Sequence, residues 1–390
     1  MRVTFVSSSV PRRCGIATFT ADIMAAVKVA DPAVRCSVVA IDEPNSARAY
    51  GTEVKTRIRQ REPDTYRAAA AFINGSSVDV VNIQHEFGLY GVWKDGVYED
   101  HLRPFLLELR KPAVTTLHSL IPDPSPSLRE AVRTIAEHSD GVVVMAHTAA
   151  NLLRSDYGIT KTPVVIPHGM PAIEPRGRHV LKRRLGMTER TIVSTFGLVD
   201  PRKGLEYMIG AMPSIVAEHA DALYLIVGQT HPELLKQQGE TYRNTLERAV
   251  EDLGMSDHVA FVNEYLTQRA IVDYLLATDV YVTPYLDPNQ ITSGTLAYAL
   301  GAGKAIVSTP YLHAVEALAD GRGIVVPFRD SDAIAVAVRR ILGDQQLKVG
   351  LEARAYAYGR ETAWPVVGRR VLGLMQHMVD PTTDGRLLAV

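Results

Sequence analysis

Cysteine is nearly absent. Cys14 and Cys36 are the only two in 390 residues, and their separation matches neither a metal-ligand pair nor a redox pair, which argues against a disulfide framework and fits a reducing cytoplasm. Charge of one sign is also missing, because 42 Lys plus Arg stand against 43 Asp plus Glu. At the level of the whole chain nothing then implies a nucleic-acid or polyanion partner, and any anion site must be local. The longest apolar runs, such as Val142 to Ala146, are strand-sized and far short of the roughly 20 residues of a membrane helix. No basic leader precedes the first apolar run, so MRVTFVSSSVPRR reads as a first strand and not as a signal peptide. Low-complexity segments are lacking too.

What is present is a doubled pattern. Strand-like runs, each followed by a helical stretch, occur at Val3 to Ser7, Ser37 to Ile41, Val78 to Gln84, Ala113 to Leu117, Gly141 to Ala146 and Val164 to Pro167. A second series occupies Thr191 to Thr195, Leu223 to Val227, Val259 to Val262, Val280 to Thr283, Ala305 to Ser308 and Gly323 to Pro327. Apolar runs without strict alternation suit strands covered on both faces, hence two doubly wound α/β domains with parallel sheets. At 390 residues the length suits two domains of about 150 to 200 residues each. The proline-rich stretch Pro171 to Gly177 marks the linker. The expected domains are 1–172 and 178–360, with 361–390 as a terminal segment. Lys55, Arg57, Arg59 and Arg61 alternate and would share one side of an extended strand. A charged edge strand is the commoner explanation, and contact with an anionic membrane surface the rarer one.

In open parallel sheets ligands meet the carboxyl ends of strands, and polar residues gather there. The first strand runs into Pro11-Arg-Arg-Cys-Gly15, the third into Gln84-His-Glu86, the fourth into Thr116-Leu-His118, and the strand before the linker into Ile166-Pro-His168. His85, His118 and His168 are each more often structural than functional when taken singly. A metal site would want more carboxylates or cysteines than Glu86 supplies. The second series opens with Phe196-Gly-Leu-Val-Asp-Pro-Arg-Lys-Gly204, where Arg202 and Lys203 precede a helix start and suit a diphosphate, or form a solvated basic turn. Thr292-Ser-Gly-Thr295 begins another helix. Its hydroxyls could simply cap that helix, or its backbone N–H groups could face a phosphate to which Gly294 allows close approach.

With these pieces in order, the chain resembles the retaining glycosyltransferases of family 4, of the GT-B fold, over nearly its whole length. The matching motifs are the Gly15 loop, Thr116-Leu-His118, Val165-Ile-Pro-His-Gly169, Gly197 to Gly204, Ile226-Val-Gly228, Asp279 to Pro284, Gly301 to Val307 and Glu361 to Val367. The resemblance implies two Rossmann-like domains facing across a cleft, with a last helix crossing back to the first. It implies transfer of a hexose from a nucleotide-diphosphate sugar, such as GDP-mannose or UDP-glucose, without a required metal or a permanently bound cofactor. The acceptor would be a saccharide, a small molecule or a lipid-linked group, which leaves peripheral membrane contact open. In this reading His118, Lys203 and Gln290 act at the donor sugar and leaving group. Arg202, Lys203, Ser293, Gly294 and Thr295 hold the diphosphate, and Phe261, Val262, Glu264 and Tyr298 lie by the base and ribose. Arg13, Gly15, His85 and His168 lie on the acceptor side.

Three positions depart from the family pattern. Two glutamates eight positions apart usually flank the phosphate turn, where this chain has Gln290 and Tyr298. Glutamine can still bond sugar hydroxyls, whereas tyrosine cannot chelate a ribose diol. An arginine usual after the first glycine of the second-domain motif is Leu198. Thr292-Ser-Gly-Thr295 is also similar to the phosphate turn of the α-glucan phosphorylases, although Lys304 does not match their cofactor lysine. A phosphorylase of the same architecture and a non-catalytic nucleotide-binding paralogue are therefore the rival expectations.

Overall fold

The computed structural model describes residues 1–44, 46–174 and 176–382. The chain forms two compact units, one of Met1–Gly169 with the segment from Trp364, the other of Met170–Ala363. Met170 and Ala363 pair as an isolated parallel bridge, so the chain enters and leaves the second unit side by side.

The strands of the first unit are β1 (Arg2–Ser7), β2 (Arg35–Asp42), β3 (Val54–Arg59), β4 (Val80–His85), β5 (Gly91–Lys94), β6 (Val97–Asp100), β7 (Ala113–Leu117), β8 (Gly141–Val144) and β9 (Val164–Val165). Seven of them form one parallel sheet in the order β3-β2-β1-β4-β7-β8-β9, and β5 and β6 form a separate antiparallel hairpin. The central strands are buried along nearly their whole length, as continuous apolar runs require when helices cover both faces. Lys55, Arg57 and Arg59 lie exposed on β3 at the sheet's edge, and Arg57 reaches Asp42 at 3.6 Å. The last helix, Trp364–Val379, packs along the helix Gly15–Ala30. Contact there is backbone-close, since a Cβ on Gly368 would lie 2.6 Å from the Ala26 carbonyl oxygen. The terminal segment therefore belongs to the first unit's core, with Trp364, Val367, Val371 and Met375 buried against Phe19 and Ile23.

The second unit contains β10 (Thr191–Phe196), β11 (Ala222–Val227), β12 (Val259–Val262), β13 (Val280–Thr283), β14 (Ala305–Ser308) and β15 (Ile324–Val325). Their order is β12-β11-β10-β13-β14-β15, all parallel. Two apolar clusters sandwich this sheet, one built on Met208, Ile209 and Met212, the other on Leu275, Tyr281 and Leu296. Strand order reverses between β1 and β4 in one sheet and between β10 and β13 in the other. Such switch points leave a crevice at the carboxyl ends of the two diverging strands.

Candidate functional site

In the second unit the loops after β10 and β13 flank the switch point and are locked together. Gly204 has φ 59°, and a Cβ there would stand 2.2 Å from the Pro284 carbonyl oxygen, while Leu286 N–H donates to the Arg202 carbonyl at 2.8 Å. Asp200 caps the short turn Pro201–Lys203. Its carboxylate accepts from Arg202 N–H at 2.8 Å, from Nε at 2.9 Å and from Nη2 at 2.8 Å. The Arg202 guanidinium is thus clamped onto its own turn. Lys203 takes the other direction, with its ammonium 3.7 Å from the centre of the Tyr285 ring. The Tyr285 hydroxyl bonds Thr295 Oγ1 at 2.7 Å, and that oxygen lies 3.1 Å from Ser293 Oγ. One aromatic ring therefore joins the basic turn to the helix start.

Ser293 is the cap of the helix Gly294–Gly301. Its Oγ accepts from Leu296 N–H at 3.3 Å, and its own N–H donates to His313 Nδ1 at 2.9 Å. The first N–H groups of a helix have no partner within it, so capping Leu296 leaves those of Gly294 and Thr295 for a ligand. Burial of the Lys203 ammonium pushes its pKa down to about 7, against an opposing pull from Asp200. An anion here would restore the charge, which suits this corner to a diphosphate.

The other positions expected on the donor side differ in what they offer. Gln290 donates from Nε2 to the Thr292 carbonyl at 3.1 Å, and its backbone carbonyl accepts from His313 N–H at 3.1 Å, so it braces the turn before the helix Gly294–Gly301. Tyr298 is buried in the core, its ring 5.9 Å from Phe196 and its hydroxyl accepting from Gln268 at 2.9 Å. Phe261 and Val262 end β12 half-buried, and Glu264 is exposed just beyond. Arg243 donates to the Gly228 carbonyl at 2.8 Å and stands 5.7 Å from the Phe261 ring. Lys304 precedes β14, at the amino ends of the strands and away from the Ser293 helix start, and donates to the Thr278 carbonyl at 3.2 Å.

In the first unit the helix Gly15–Ala30 is capped by the Cys14 thiol, which accepts from Ala17 N–H at 3.4 Å. Arg13 and Gly15 are exposed at its start. His118 and His168 both present edges to Phe19, at 4.7 and 5.1 Å between ring centres. His168 Nδ1 bonds the Gly169 carbonyl at 2.7 Å, and burial holds its pKa at about 4. His118 Nε2 lies 2.7 Å from Gln84 Oε1, and burial, helped by His168 and His85, holds its pKa well below the usual value. His85 is enclosed completely, stacked 5.4 Å from Tyr90, and burial lowers its pKa to about 3. The three strand-end histidines are thus neutral and packed. Among the described residues no group of three or more His, Cys, Asp or Glu side chains gathers as a metal site would require.

Sequence reasoning overlooked four residues that build these corners: Asp200, Tyr285, His313 and Gln84. Asp200 and Tyr285 were within reach, since each sits in a motif at the end of a strand. His313 lies 20 residues from Ser293 and Gln84 lies 34 from His118, and no local spacing announces such pairs.

Comparison with known proteins adds the following. A model described as Glycosyltransferase Family 4 matches residues 33–172, and one described as Glycosyl transferases group 1 matches residues 189–344. A GDP-mannose-dependent alpha-(1-6)-phosphatidylinositol monomannoside mannosyltransferase of Mycolicibacterium smegmatis is 27% identical over 263 residues, covering 64% of this chain and 65% of its own. A phosphatidyl-myo-inositol mannosyltransferase of the same organism is 29% identical over 184 residues, 47% of this chain and 44% of its own. The chain thus spans less than two thirds of the length of these relatives. The Anabaena HepE structure in complex with UDP and glucose superposes with a TM-score of 0.74 at 16% identity, covering 96% of this chain and 99% of the other. Sucrose-phosphate synthase from Thermosynechococcus elongatus gives 0.75 at 16% identity, with 98% and 100% covered. At such identities the likeness establishes the shared fold, GT-B.

Proposed function

We infer that this chain, which belongs to the glycosyltransferases of family 4 and group 1, transfers mannose from GDP-mannose to a hydroxylated acceptor with retention of configuration. The observation that carries this is the junction of Lys203, Tyr285 and Thr295 at the switch point of the second unit. As the glycosidic bond breaks, negative charge grows on the departing nucleoside diphosphate. Lys203 and the N–H groups of Gly294 and Thr295 are fixed in advance to meet it, and so stabilise the transition state more than the ground state. In the second unit Gln290 stands where the family has a carboxylate and offers an amide to the donor sugar. In the first unit His118 offers a ring nitrogen to a sugar hydroxyl. GDP-mannose is favoured among donors because relatives named for that donor align with this chain. Their names also speak of phosphatidylinositol acceptors. No helix among the described residues is long and apolar enough to cross a membrane, so an acceptor of that kind would be met at the membrane surface.

Calorimetry and thermal shift against GDP, UDP, ADP and inorganic phosphate test the reading, followed by transfer from GDP-mannose with and without EDTA. A ligand that binds only the folded state raises its melting temperature as concentration exceeds the dissociation constant. Selective stabilisation by GDP, with GDP release that survives EDTA, is the expected result. Response to phosphate alone would favour phosphorolysis. One observation favours a binding protein without turnover: with Gln290 and a buried Tyr298 in the two glutamate positions, neither carboxylate is present. GDP binding with no transfer to any acceptor would decide for it.

A further inference from the structure

A line of buried polar side chains runs behind His118, all within the first unit. Asn82 and Gln84 lie two apart on β4 and so share a face, and neither is exposed to solvent. Asn82 Nδ2 contacts the Met375 sulfur at 3.8 Å, on the helix that returns to this unit. Gln84 Nε2 donates to Asn82 Oδ1. Gln84 Oε1 then faces His118 Nε2 at 2.7 Å.

The direction of these bonds follows from the far end. A thioether has no hydrogen to give and can only accept, so the Asn82 amide satisfies that contact only with its NH2 toward Met375. Its Oδ1 then receives Gln84 Nε2, and Gln84 Oε1 is left as an acceptor. The nitrogen facing it must carry the hydrogen. Reversing the line would set the Asn82 oxygen against sulfur and lose a bond. Among the described residues no hydrogen bond is made to His118 Nδ1, and 8% of the residue's surface stays exposed, whereas His85 is enclosed completely.

We propose that Gln84, oriented by Asn82 and Met375, is a positioning residue that locks His118 as its Nε2–H tautomer and leaves Nδ1 as a hydrogen-bond acceptor. The lock selects what the ring can hold. A bare Nδ1 lone pair takes a hydroxyl hydrogen from a sugar and repels an anionic phosphate oxygen, which only a protonated or Nδ1–H ring could bind. This rests on the reading of His118 as a sugar contact, but the tautomer itself can be read without any substrate.

The test is the ring-nitrogen NMR spectrum of the full chain with 15N-labelled histidine, His118 being assigned by the signals lost in His118→Gln. The wild-type ring is expected to show Nε2 protonated and Nδ1 bare from pH 5.5 to 8. Gln84→Leu, which leaves no acceptor, should convert it to a mixture of tautomers and lower kcat about tenfold or more, with GDP affinity unchanged. Gln84→Glu keeps an oxygen facing Nε2 and, with Asn82 turning its NH2 to the second oxygen, should retain the Nε2–H signal. A wild-type ring protonated on Nδ1, or a tautomer unmoved in Gln84→Leu, overturns the proposal. If Gln84→Leu does not fold, the wild-type spectrum and Gln84→Glu still decide. Absence of transfer in the wild type would count against the proposed function and leave the tautomer result to stand by itself.

Discussion

Lys203 should make donor binding depend on pH. Its ammonium, desolvated beside Tyr285, has a pKa near 7 in the free site, whereas a bound diphosphate stabilises the charged form and returns the pKa toward the ordinary lysine value of about 10.4. Binding therefore takes up a proton wherever the free site has lost one. Only the charged fraction is ready for the anion, and from a pKa of about 7 that fraction is about three quarters at pH 6.5 and about 3% at pH 8.5. Affinity should fall about 25-fold across that interval, weakening as pH rises through the free-site pKa. GDP-mannose is the better probe than GDP, because a terminal phosphate titrates near pH 6 and would oppose the trend. Burial holds the pKa of His231, on the neighbouring loop, below the ordinary histidine value, against an opposing pull from Asp200. The assay is calorimetry in two buffers of different ionisation enthalpy, which reads affinity and proton uptake together. Arginine stays charged throughout, so Lys203→Arg should flatten the pH dependence. Lys203→Met should flatten it too, and should lower turnover by about 10² or more. A wild-type affinity constant from pH 6.5 to 8.5, or an equal slope in Lys203→Arg, would refute the assignment of this lysine to the diphosphate.

Two further perturbations separate the scaffold from the chemistry. Gly204→Ala forces a side chain into left-handed backbone at φ 59° and within 2.2 Å of the Pro284 carbonyl oxygen, and should destabilise the protein by about 2 kcal/mol or more. Urea denaturation measures it, and an unchanged midpoint would show that the two loops are not locked as described. Ser293→Ala removes the helix cap at a cost of about 1 kcal/mol, and should weaken GDP binding through the loosened N–H groups of Gly294 and Thr295. Affinity equal to wild type in a measurably less stable variant would mean that the nucleotide is held elsewhere.

Much of the architecture was legible in the amino-acid sequence because it is encoded locally. Apolar runs at strand spacing, with helical stretches between, marked both parallel sheets, and the bounds of β7, β12, β13 and β14 agree with the structure. The hairpin of β5 and β6 escaped, since its four-residue strands carry charges and little apolar pattern. The Ser293 helix start was also a local signal, because capping chemistry lies within four residues. Tertiary structure alone decided what the local signals were for. Strand order placed β10 beside β13, and only that neighbourhood lets Lys203 and Thr295, 92 positions apart in sequence, meet at the Tyr285 ring. The same folding turned Arg202 onto Asp200, buried Tyr298 in a core and gave His118 its partner in Gln84. A residue type states which bonds a side chain can make, and the pairing of distant strands determines which of them it makes.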